Sequence, residues 1–216
     1  MHSIQTPLRM ALARQLHGRI LDCGSGDGLF SSFLRREGNE VISLDVDVEA
    51  LRKQSGHCVA ASCERIPFPD DTFDSVWACA VIEHVAEDTL PEMIRVTRPG
   101  GQIIAVTPNR YSPFDPLLRL VGLKPLGRRP GHVRLYSVKE LRGYGKVHGE
   151  TRFLPFLRWF SWHLPHLAHV IIVDIRVTRE LKEKFVPSRK ASCGRPIHAS
   201  SPMPGLPTAD AAGLNR

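Results

Sequence analysis

The residues best suited to chemistry lie in one short stretch, Ile20-Leu21-Asp22-Cys23-Gly24-Ser25-Gly26-Asp27-Gly28. An apolar run from Arg19 to Leu21 ends in an acid, and glycine then takes every second position. An amphipathic run, Leu29 to Arg36, follows at once. The pattern predicts a strand, a tight glycine loop and a helix, the geometry that brings backbone N–H groups against a nucleotide-like ligand. A dinucleotide loop, G-x-G-x-x-G, would place its third glycine where this chain has Leu29. Glycine arrives one residue earlier, at Gly28, so the pattern is D-x-G-x-G-x-G.

A second acid stands at the right distance. Glu40-Val41-Ile42-Ser43-Leu44-Asp45 reads as a strand that closes on a carboxylate seventeen residues after Gly28. A carboxylate there can accept both hydroxyls of a ribose. Asp47-Val48-Glu49-Ala50-Leu51 then reads as a capped helix start.

Further segments follow in order. Ala61 to Asp74 reads A-S-C-E-R-I-P-F-P-D-D-T-F-D, and Ser75 to Val85 is a buried strand running into Glu83-His84-Val85. Thr89-Leu90-Pro91-Glu92 reads as a capping box with an early proline, opening a helix to Arg98. Pro99-Gly100-Gly101 turns into a strand from Gln102 to Val106, closed by Thr107-Pro108-Asn109.

Over residues 18 to 109, about half of the chain, these segments together resemble the class I S-adenosylmethionine-dependent methyltransferases of the type 11, small-molecule or lipid subgroup. The resemblance implies an α/β fold: a Rossmann-like, seven-stranded, mostly parallel sheet with an antiparallel last strand, helices on both faces and a small lid insertion after the fifth strand. The domain would span 1–185, with 110–165 covering the substrate. The implied cofactor is S-adenosyl-L-methionine. Its binding residues would be Asp22, Gly24, Ser25, Gly26, Gly28, Asp45, Val46, Ser62, Cys63 and Cys79. Ser62 and Ala80 each stand where the family more often has a polar or acidic residue. The implied activity is methyl transfer to a small or lipid-like acceptor by in-line displacement. No metal or covalent intermediate is required, and no metal site is expected. His84, after the strand that meets the methyl end, is the candidate base, because imidazole titrates near neutral pH. Tyr111, His132 and Tyr136 are candidates for orienting substrate from the lid. Two other readings stay open: a non-catalytic cofactor-binding or scaffold protein of this fold, and an RNA methyltransferase, although no RNA-binding module is recognisable.

Composition agrees with a globular chain: 216 residues, 42% hydrophobic and 24% charged. Met1 to Gly18 lacks the apolar core of a signal peptide and reads instead as an amphipathic helix from Pro7 to about Gln15. Only this helix precedes the first strand, so the lid is expected from 110–165 or from a partner subunit. Five cysteines without metal-type spacing argue against a disulfide framework or a zinc site, and Cys23, Cys63 and Cys79 read as small apolar fillers. A cytoplasmic location fits, with peripheral membrane contact allowed.

Charge divides the chain. Residues 1–109 carry a net −5, residues 110–160 a net +8, residues 161–173 none, and 174–216 a net +4. A basic cover suggests an anionic substrate or surface; no DNA partner is expected, and oligomeric state is left open. Residues 110–136 are rich in proline and glycine, with room for a short helix at 116–121, and Ser137-Val138-Lys139-Glu140 is a capping box for a helix to about Tyr144. From 153 to 167, Phe153, Phe156, Phe160, Leu164 and Leu167 follow a helical rhythm flanked by Trp159 and Trp162. This stripe packs on the sheet or rests on a membrane; His163, His166 and His169 lack the companions a metal site needs. Residues 168–178 read as the last strand, inserted antiparallel beside the fifth, and 186–216 as a disordered tail that exposes Cys193.

Overall fold

The computed structural model describes residues 7–86, 89–112, 131–150 and 158–186, together with positions 116 and 120. Its seven strands are β1 (Arg19–Cys23), β2 (Glu40–Asp45), β3 (His57–Ala60), β4 (Phe73–Cys79), β5 (Thr97–Pro108), β6 (Lys146–Glu150) and β7 (Val170–Arg176). They form one sheet in the order β3-β2-β1-β4-β5-β7-β6. β1 to β5 pair in parallel, and β7 runs antiparallel between β5 and β6. The helices are α1 (Pro7–Ala13), α2 (Leu29–Arg36), α3 (Val48–Arg52), α4 (Leu90–Val96), α5 (Val138–Leu141), α6 (Arg158–His163) and α7 (Arg179–Phe185), with a 3-10 turn at Pro165–Leu167.

Strand periodicity explains the layering. Successive side chains point to opposite faces. Ile20, Val41, Trp77, Ile104 and Ile172 face one layer with Leu12 and Leu16 from the N-terminal segment and Phe30, Phe33 and Leu34 from α2. Their neighbours Leu21, Ile42, Val76, Ile103 and Ile171 face the other, with Leu90, Met93 and Ile94 from α4 and Val138 and Leu141 from α5. A sheet covered on both faces needs near-continuous apolar strands, which these are.

Several boundaries differ from expectation. α1 ends at Ala13, and the chain tightens through short-range bonds to Leu16. α5 stops at Leu141 rather than Tyr144, just before Gly143 and Gly145. β5 begins at Thr97, so Pro99-Gly100-Gly101 lies inside the strand rather than before it, with Gly100 at φ 87°. The box at Ser137 forms, with the serine accepting from Glu140 N–H and Glu140 accepting from Ser137 N–H. The box expected at Thr89 does not: Glu92 turns away to accept from the Ile66 N–H at 3.1 Å. β3 and β6 carry little apolar signal of their own, as befits the two edges of the sheet. The continuous stripe expected over 153–167 breaks at Leu164 between α6 and the 3-10 turn, and residues 151–157 lie outside the described residues. So do most of 113–130 and the tail from 187 on.

Candidate cofactor crevice

In a sheet of this order, β1 and β4 lie side by side while their connections leave in opposite directions, which opens a crevice beyond their carboxyl ends. The crevice encloses 260 Å³. Gly24 lines it after β1, Asp45 and Val46 at and after β2, Ser62 and Cys63 after β3, and Ala80, Val81, His84 and Val85 after β4.

The glycine loop owes its shape to backbone geometry. Gly24, Gly26 and Gly28 have φ of 70°, 53° and 78°, in the left-handed region that side chains resist. At Gly24 there is a second reason: an added Cβ would come within 2.3 Å of Val81. The Gly24 and Ser25 N–H groups both donate to the Leu44 carbonyl, at 2.7 and 3.0 Å. Gly26 N–H donates to Asp45 Oδ2 at 2.8 Å, and Asp47 N–H to Asp45 Oδ1 at 2.9 Å. Asp45 therefore braces the loop, and each of its oxygens keeps a further lone pair for a ligand.

Asp22 faces the other way. Its Oδ2 accepts from Ser31 Oγ at 2.5 Å; Ser43 donates to Ser31, and Arg35 to Ser43. Burial raises its carboxyl to about 6, against the pull of Ser31 and Arg35. The geometry makes Asp22 a brace between β1 and α2. Ser25 Oγ accepts from Gln54, and Cys79 is buried against Arg9, whose Nη1 lies 3.6 Å from its sulfur. Burial pushes the Cys79 thiol up to about 12. Of the residues that the resemblance assigns to the cofactor, Gly24, Asp45, Val46, Ser62 and Cys63 line the crevice; Asp22, Ser25, Gly26, Gly28 and Cys79 stand behind or beside it.

Among the lid candidates, Tyr111 is exposed, His132 is half-buried with its ring 4.9 Å from that of His84, and Tyr136 is buried in the core with the Arg134 guanidinium over its ring. Cys23 and Cys63 are buried, and the Cys23 thiol donates to the Cys63 sulfur at 2.7 Å.

Two features escape sequence reasoning. Ala80 adopts φ 60° at the end of β4, a strained conformation for an alanine, where its N–H reaches the Val106 carbonyl. Arg95 holds the loop after β3: it donates to the Ile66 and Phe68 carbonyls and to Glu92 and Asp70. These carboxylates raise the arginine's pKa further. Neither residue has a local pattern that announces it.

The lining decides which nucleotide-like ligand fits. Among the described residues its ionisable groups are Asp45, His84 and the Cys63 thiol, and no lysine or arginine lines it. A pyrophosphate would lack a counter-charge there, whereas a cationic sulfonium joined to a ribose meets a carboxylate and an apolar wall.

Fold and crevice thus define an α/β protein that binds a nucleoside cofactor of the sulfonium kind. Residues 21–105 match the family model described as a methyltransferase domain. The cofactor of that family is S-adenosyl-L-methionine, which the lining fits. The chain is 37% identical over 166 residues to a malonyl-[acyl-carrier protein] O-methyltransferase of Erwinia billingiae, covering 60% of this chain and 65% of that one. It is 33% identical over 117 residues to a demethylmenaquinone methyltransferase of Beutenbergia cavernae, covering 50% and 48%. A methyltransferase structure from Archaeoglobus fulgidus shares the fold, with a TM-score of 0.57 at 18% identity, covering 78% of this chain and 93% of that one. The chain spans about half the length of the curated relatives it matches.

Proposed function

We propose that this protein moves the methyl group of S-adenosyl-L-methionine to a small or lipid-like anionic acceptor by in-line displacement. The observation that carries this is the crevice itself: a glycine loop braced by Asp45, an apolar wall of Val46, Val81 and Val85, and, among the described residues, no lysine or arginine in the lining. The bound cofactor supplies an activated methyl and a neutral leaving group. The chain's own residues then have three tasks. Asp45 and the glycine loop orient the ribose. The loop clamped by Arg95 presents Ser62 and Cys63 to the adenine. His84 meets the reacting atom of the acceptor: its Nδ1 lies 2.9 Å from the Gly131 carbonyl, which only accepts, so Nδ1 carries a hydrogen and Nε2 is the ring atom left for the acceptor. Alignment of acceptor and methyl, with water kept out, supplies most of the rate gain such a reaction needs.

The acceptor class rests on charge and on kinship. Residues 110–160 carry a net +8 beside an acidic cofactor half, which suits an acid or an acidic carrier. Relatives named for malonyl-[acyl-carrier protein] and for demethylmenaquinone support an acyl-type or lipid-like acceptor here. The test is incubation with methyl-labelled cofactor and fractionated cell extract. Label in an acidic small-molecule or lipid fraction is expected; label in RNA alone would sink the acceptor assignment.

A further inference from the structure

We propose that Glu83, His84 and His132 hold one first-row divalent cation, of the zinc or cobalt kind, beside the crevice. One ligand atom from each of the three lies within 4.8 Å of those from the others. Two of these residues are adjacent, and the third arrives from the segment after residue 130. That segment is pinned in place: the Val133 and Arg134 N–H groups both donate to the Glu83 carbonyl, at 2.8 and 3.1 Å.

The surroundings are those of metal ligands. A ligating histidine commonly donates its second ring N–H to a carbonyl, and ligating carboxylates are themselves hydrogen-bonded. His84 Nδ1 faces the Gly131 carbonyl at 2.9 Å, and Thr107 Oγ1 donates to Glu83 Oε2 at 3.1 Å. Glu83 is 1% exposed, yet among the described residues no lysine or arginine pairs with it. A buried carboxylate is costly; the charge partners of Glu83 are His84 and His132, and a divalent ion held among the three would offset that cost further. Two imidazoles and one carboxylate suit zinc, cobalt or iron(II), and three protein ligands leave a position open. Ligand atoms around zinc stand about 3–3.5 Å apart, so the side chains of exposed His84 and half-buried His132 close by about an ångström on binding.

Cation binding stands independently of the methyltransferase reading, but its consequence rests on that reading. His84 lines the crevice. With the His84 Nε2 lone pair on the cation, the open position, in place of the ring itself, would take an oxygen of the acceptor, fix it in line with the methyl and weaken its hold on a proton.

The test uses the full chain without a tag, stripped of metal by chelator. Cobalt(II) is titrated by visible absorption, and zinc is titrated in competition. One saturable equivalent is expected, with affinity at least tenfold weaker in His84→Asn and in His132→Asn. Glu83→Gln should weaken it similarly; if that variant fails to fold by circular dichroism, Thr107→Val replaces it, with a smaller loss expected. No saturable equivalent, or unchanged affinity in both histidine variants, would overturn the site. Calorimetry with S-adenosyl-L-methionine on the same preparation separates the two claims. Cofactor bound without a cation sinks this inference alone; a cation bound without cofactor supports it and sinks the methyltransferase reading.

Discussion

A single buried carboxylate gives this fold a signature in its pH dependence. Asp22 is 2% exposed, and burial raises its carboxyl from 3.8 to about 6. The folded state therefore holds the proton more tightly than the unfolded chain does. Stability from this group is fully present below pH 4 and is lost as pH rises through about 6, a difference of roughly 2–3 kcal/mol. Asp22→Asn, whose amide oxygen still accepts from Ser31, should stabilise the protein by that order at pH 8 and change little at pH 4. Urea unfolding at the two values checks this; equal effects at both would remove the assignment. The sequence announced this acid by its place before the glycines but not its direction. Which oxygen Asp22 offers to what depends on Ser31 and Ser43, two small residues on α2 and β2 that carry no signal alone. Asp45 was more legible, because the end of the second strand faces the crevice whenever the first loop does.

Helices and strands carry their own tests. The buried pair Arg9–Glu150, at 2.9 Å, ties α1 to the end of β6. Arg9→Met should cost about 3–5 kcal/mol by stranding Glu150, and adding Glu150→Gln should recover much of the loss. Urea unfolding of the single and double variants reads this directly; equal loss in both would mean that the pair is not what α1 contributes. In the glycine loop, Gly24→Ala adds a left-handed alanine, worth about 1–2 kcal/mol, to a collision with Val81. Gly26→Ala adds the first alone, since nothing lies within 4 Å of its new carbon. Thermal melts should therefore fall further for Gly24→Ala, and the reverse order would contradict the packing. Element existence was readable where apolar period and caps coincide, as at β1, α2, β2 and Ser137. It was not readable at the sheet edges, β3 and β6, whose strands are half solvated. At Thr89 a correct cap pattern lost its glutamate to the backbone of Ile66, a tertiary competitor invisible in the local sequence.

At the scale of the whole molecule, the sequence joins an acidic first half to a basic second half. Among the described residues no helix is long and apolar enough to cross a membrane. Leu164 and Leu167 are nonetheless half exposed, in and just before the 3-10 turn, next to Trp162, which is partly covered by His148. Burial lowers the His148 pKa, so that ring keeps its neutral form to lower pH than a free imidazole does. If this rim touches lipid, sedimentation with liposomes should require anionic lipid and should drop in the Trp159→Ala, Trp162→Ala double variant. Equal sedimentation of that variant would dismiss membrane contact. The class of fold followed from the segment order in the first half of the chain; the acceptor did not, because glycine and proline break the periodic signals of the second half.

In the function proposed above, the alternating-glycine loop and Asp45 grip S-adenosyl-L-methionine. Calorimetry of the full chain with that cofactor tests it most directly. One site is expected, weakened at least about tenfold in Asp45→Ala, the loss of charge-assisted hydrogen bonds, and no comparable heat with a nicotinamide dinucleotide. Absence of binding, unchanged affinity in Asp45→Ala, or preference for the dinucleotide would contradict it.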